Sequence, residues 1–94
     1  MTRRELLQSA LEATNTRGDT YGKPEDNFAT VASVWSAYLK HELTAMDVAM
    51  LMVLFKVVRH KTSAAHMDNL VDIAGYAACA AELGTEQEER NDQR

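Results

Sequence analysis

Asp68 and Asp72 stand one helical turn apart in the stretch HMDNLVDIAGY, where most of the other residues are apolar or small. An unpaired carboxylate is costly to bury, so each must face water, meet a cation or hold a metal ion. Cations lie just upstream, at Lys56, Arg59, His60 and Lys61. The i, i+3 and i, i+4 spacings put Lys56, Arg59 and His60 on one side of a helix, and Asp68, Asp72 and Tyr76 along one stripe of the next. A short link, TSAAH, turns the first helix back onto the second and brings the basic end of one beside the acidic start of the other.

Two chemistries fit that meeting point. One is an inter-helix salt-bridge cluster, in which Asp68 also favours a helix N-terminus and the cations a helix C-terminus. The other is a site for a nucleotide or other phosphorylated small molecule. Asp72 and Asp68 would hold Mg²⁺ while Lys56 and Arg59 take phosphate oxygens, because Mg²⁺ needs only one or two carboxylates when phosphate and water complete its shell. Carboxylates at i, i+4 occur on many solvated helices, so the spacing alone leaves both readings open.

The segment DTYGKPEDNF is the second unusual stretch. Tyr21 and Gly22 can turn over a pocket and Asn27 can offer an amide to a base or ribose; equally, Gly22 and Pro24 can punctuate a loop while Asn27 faces water. Trp35 and Tyr38 are either core residues or a stacking platform. His41 and His66 fall in or near loops and are expected to be exposed. The chain has no C-x-x-C, H-E-x-x-H, glycine-rich phosphate loop or G-x-S-x-G, which removes the usual zinc, phosphate-loop and serine-hydrolase readings.

The elements that must hold these groups are helical. There are four glycines and one proline, and no sustained alternation of period two, so strands have little support. A first helix is expected from about Arg3 to Asn15, with Leu6, Leu7, Ala10, Leu11 and Thr14 inward and its end before Gly18. A second should run from Pro24 to about His41, since proline suits the first helical position. Its apolar stripe is Phe28, Val31, Val34, Trp35, Tyr38 and Leu39. Thr44 and Asp47 make T-x-x-D, close to a capping box, and open a third helix through AMDVAMLMVLFKVVRHK. The fourth is expected from about His66 or Met67 to Leu83, with Leu70, Ile73, Ala74 and Ala77 on its apolar face and Gly84 just beyond its end. Residues 1–84 then form a single helical domain, an antiparallel four-helix bundle or a half-bundle completed by a partner. Residues 85–94, which hold no apolar side chain, are expected to be a disordered polar tail.

Composition narrows the partners. A length of 94 residues and 46% hydrophobic content suit one small core. The net charge of −4 argues against a nucleic-acid polymer, whose phosphates demand a basic surface, but leaves room for a small anion at a local basic patch. A lone Cys79 cannot form an internal disulfide; it fits a reducing cytoplasm and is read as a small core residue. MTRRELLQSALE lacks the apolar centre of a signal peptide, and VAMLMVLF is too short to span a bilayer.

The order YGKPEDNF, WSAYL, DVAMLMVLFKVVR, DNLVDIAGYAA resembles a family of small phage and prophage proteins of unassigned function. That family is in turn similar to the all-α nucleoside triphosphate pyrophosphohydrolases of the MazG and dUTPase type, and to a phage domain associated with nucleotide modification. The resemblance implies a MazG-like bundle, a nucleotide ligand, Mg²⁺, a dimeric or tetrameric assembly and, for a phage-encoded protein, the host cytoplasm. In the pyrophosphohydrolases two pairs of acidic residues bind the metal. Asp72 matches the final aspartate of one pair, but its partner glutamate is replaced by Asn69, with Asp68 one residue before. The other pair has no clean counterpart, since Glu25 is followed by Phe28 and Glu5 by Gln8 at the required spacing. The reduced acidic set weighs against hydrolysis more than against binding. It keeps open a non-catalytic alternative, a phage protein that sequesters a nucleotide signal or binds and inhibits a host defence protein.

The third helix adds an expectation of its own. Met46, Met50, Val53 and Val57 fall on one side and Val48, Leu51, Phe55 and Val58 on another, more apolar surface than so short a chain can cover. A homo-oligomer, most simply a two-fold dimer through helices three and four, is expected.

Overall fold

A computed structural model describes the backbone of residues 1–21, 24–63 and 66–92 and the side chains of residues 1–15, 25, 27–63 and 66–89. The described residues are all-helical: α1 (Arg3–Tyr21), α2 (Pro24–Leu39), α3 (Ala45–Thr62) and α4 (Asp68–Asp92). They pack as an open bundle measuring 44 × 30 × 23 Å, in which α4 lies between α3 and α1 while α2 packs chiefly on α3.

Local chemistry explains where α2 and α3 stop and start. At the end of α2, Lys40 takes φ 55°, a left-handed conformation that costs a side-chain-bearing residue about 1 kcal/mol. The His41 amide donates to the Ser36 carbonyl at 3.2 Å, which satisfies an orphan acceptor of the last turn. The Ser36 hydroxyl then accepts from the Leu43 amide at 2.8 Å and holds the link. The capping box expected at Thr44 is complete: the Asp47 amide donates to Thr44 Oγ1 at 3.1 Å and the Thr44 amide to Asp47 Oδ2 at 2.9 Å.

Two helix ends differ from expectation. α1 runs through Gly18 to Tyr21, and α4 runs through Gly84 to Asp92. An interior glycine costs a helix only about 1 kcal/mol, and neither stretch contains a proline to stop it. Gly84 therefore sits inside α4, with open room for a methyl group beside Met46.

The core is small in every sense. Phe28, Ala32, Val48, Ala49, Cys79 and Ala80 form its buried cluster, bordered by Val31, Trp35, Met52, Tyr76 and Leu83. Short side chains let α3 and α4 approach closely in antiparallel register, with Lys56 against Asp72 at one end and Met46 beside Gly84 at the other. Cys79 is buried as expected, and His41 and His66 are exposed.

Several faces read from periodicity are turned differently. On α1, Ala10 is buried but Leu7 and Leu11 are exposed. On α2 the stripe is split: Phe28 and Trp35 pack inward, whereas Val34, Leu39 and Tyr38, 86% exposed, do not. On α3 the inward line is Val48, Ala49, Met52 and Lys56, and Leu51, Phe55 and Val58 point away. On α4 the expected apolar face is at most half-buried and Ala77 is exposed; Asn69, Val71, Cys79 and Ala80 are buried instead. Period shows that a face is apolar; which of two apolar faces is covered depends on where the neighbouring helix lies.

Candidate functional site

Lys56 is the one charged residue on the inward line of α3, two turns beyond Ala49. Its ammonium crosses to α4 and sits 2.9 Å from Asp72 Oδ2, with the side chains 14% and 26% exposed. The lysine stem lies along apolar surface while its head reaches the carboxylate. Asp72 is tolerated on a helix face that continues through Tyr76 to buried Cys79 because a cation meets it there. Of the groups expected at this corner, these two are brought into contact.

The other expected groups lie at different depths. Asp68 is exposed in the first turn of α4, one turn before Asp72, and Arg59 is exposed in the last turn of α3. Tyr76, one turn after Asp72, tilts against Phe28 with ring centroids 5.8 Å apart and planes at 37°, so it joins the pair to the core. Trp35 is half-buried against the same core from α2, and Asn27 is exposed near the start of α2. The side chain of Tyr21 and all of Gly22 lie outside the described residues.

Two further residues, Asn69 and His60, belong to this corner of the chain. Asn69 is buried and its side-chain amide donates to the His66 carbonyl at 3.2 Å, tying down the entry to α4. His60 is half-buried, one turn beyond Lys56, and among the described residues its Nδ1 has no hydrogen-bond partner. Asn69 was legible only as a polar residue among apolar neighbours, which is also the signature of an exposed position. Among the described residues, no three of the histidine, cysteine, aspartate and glutamate side chains converge.

Comparison with known proteins defines the class first. The chain, all-helical over its described residues, falls among small phage proteins of unknown function: it is 42% identical over 67 residues to the Gene 55 protein of Mycobacterium phage D29, covering 71% of this chain and 44% of that protein. It is 37% identical over 87 residues to the Gene 55 protein of Mycobacterium phage L5, covering 90% of this chain and 56% of that one. The chain thus spans about half the length of the curated relatives it matches. It belongs to the family described as Domain of unknown function (DUF6378), which matches residues 5–84. No solved structure matches it. Among the described residues no helix is long and apolar enough to cross a membrane.

Proposed function

We propose that this phage protein is a MazG-like nucleotide-binding protein that receives the phosphates of its ligand at the corner where α3 meets α4. The observation supporting this is the approach of Lys56 to Asp72 across the two helices at 2.9 Å, flanked by exposed Arg59 and exposed Asp68. Arg59 offers a planar, permanently charged fork to phosphate oxygens. Lys56 adds a second cation held in place by its partner.

The donor set is consistent with Mg²⁺ in a limited way. Asp68 and Asp72 share a stripe one turn apart, but one Asp72 oxygen is already engaged by Lys56. Such a pair suits a magnesium that keeps most of its ligands from phosphate and water. When bound, the ion would neutralise phosphate charge. The chain's own residues would orient the phosphates, with Arg59 and Lys56 on the oxygens and Tyr76 fixing the face of α4 that carries Asp72.

A second reading, binding without turnover, is favoured by the engagement of Asp72 and by the lack of a third acidic group at the corner among the described residues. On that reading the protein sequesters a nucleotide signal or acts on a host protein.

One experiment addresses both. Purified protein is incubated with nucleoside mono-, di- and triphosphates with and without Mg²⁺, reading melting temperature and product formation together. A nucleotide-dependent rise in Tm is expected. Arg59→Ala should remove most of that rise while leaving the ligand-free Tm within about a degree or two, since Arg59 is exposed and surface substitutions usually change stability little. No rise with any nucleotide sinks the nucleotide reading; accumulation of product sinks the binding-only reading.

A further inference from the structure

We propose that the outward face of α3 is where two copies of this chain associate, antiparallel and two-fold, with Leu54 at the centre. This goes beyond the nucleotide reading and is independent of it.

The observation is an inversion of the usual distribution of side chains. Alanines, two valines and a cysteine make up most of the buried set, and Val48 is the largest side chain that is fully buried. The opposite side of the same helix carries Met50, Leu51, Leu54, Phe55, Val57 and Val58, with Leu54 59%, Phe55 52% and Val58 63% exposed. These six side chains leave on the order of 500 Å² of apolar surface in water from one helix, near the upper limit for the largest patch on a monomer. Two such faces brought together bury roughly 1,000 Å², about the threshold for a specific interface, before flanking polar surface is counted.

Charge selects the occupant and its direction. Asp47, Leu51, Leu54, Val58 and Lys61 recur at alternating steps of four and three along the exposed face, the spacing of a helix–helix seam. Its middle is apolar and its two ends carry opposite charges at equal distances from Leu54. An antiparallel pair centred on Leu54 sets each Asp47 beside the Lys61 of the other copy, so both ends of the seam close with attraction. A parallel pair would set Asp47 against Asp47 and Lys61 against Lys61. Helix dipoles favour the same antiparallel choice. The face is therefore complementary to itself in one direction only.

The test is mass in solution by light scattering across micromolar concentrations, with the complete chain. A dimer is expected, and Leu54→Glu should raise its dissociation constant at least 100-fold while circular dichroism stays helical. Should Leu54→Glu fail to fold, Lys61→Glu changes only an exposed end of the seam and should weaken the dimer by about three- to ten-fold. Direction is read by disulfide trapping, which the buried position of Cys79 leaves free of background. A mixture of Met50→Cys and Val58→Cys chains should cross-link to each other more readily than either does to itself. A monomer at every concentration overturns the proposal and leaves the face to a different protein. A dimer indifferent to both Leu54→Glu and Lys61→Glu, or Met50→Cys chains linking preferentially to themselves, overturns it equally.

Discussion

The carboxylate of Asp72 and the ammonium of Lys56 are unequal partners, and the inequality can be measured. Lysine can withdraw its head toward water along a flexible stem, whereas a short aspartate side chain on a covered helix face cannot. Removing Lys56 strands a charge; removing the charge of Asp72 lets Lys56 relax. Lys56→Ala is therefore expected to lower stability by about 1–2 kcal/mol and Asp72→Asn by less. A double-mutant cycle should give a coupling near 1 kcal/mol, at the upper end for exposed pairs and well below fully buried ones. Urea melts of the four proteins supply the values. Equal costs with no coupling would mean that the pair is solvated and that Asp72 owes its place to something else. This contact was legible beforehand because a short link and two i, i+4 spacings are local facts. The depth of Tyr76 and the burial of Asn69 were not, since both depend on how far α4 is turned toward its neighbours.

Helix starts were easier to read than helix stops. Pro24 and the Thr44–Asp47 box act through the first turn alone, and both lie where α2 and α3 begin. Gly18 and Gly84 have the composition of a stop, yet a helix passes through each, because glycine weakens a helix without ending it. That distinction gives a sharp test at Gly84. A β-carbon there would lie 3.8 Å from the Met46 side chain, an ordinary contact. Gly84→Ala should therefore stabilise the protein by about 0.5–1 kcal/mol, seen as a rise of several degrees in Tm. Were Gly84 instead a left-handed terminal residue, the same change would lower Tm. The apolar faces of α2 and α3 were misread for a related reason. Each carries more apolar surface than one neighbour covers, and nothing local says which part a neighbour will take.

At the scale of the whole molecule, the radius of gyration of 14.4 Å exceeds the roughly 12 Å expected of a compact domain this long. The bundle is open, and its helices are not held equally. α3 and α4 form a close hairpin, whereas α1 leans on α4 and scarcely meets α2. Amide hydrogen exchange should accordingly be slowest in the facing turns of α3 and α4, around Val48, Ala49, Cys79 and Ala80, and fastest in α1, where opening needs the fewest contacts to break. Uniform protection across all four helices would show that they open as one unit.

The same arrangement has a consequence for how the chain is made. Order of synthesis runs against order of packing: α1 is made well before α4, the helix it chiefly packs on. Neighbours in sequence can pair as they emerge, at roughly 5–20 residues per second, and the α3–α4 hairpin can do so. The Ala10 side of α1 must wait for α4, with Ala10 and half-buried Leu6 uncovered meanwhile. α1 thus waits on the order of seconds for the helix it packs on, with its Ala10 face open to water until α4 is made.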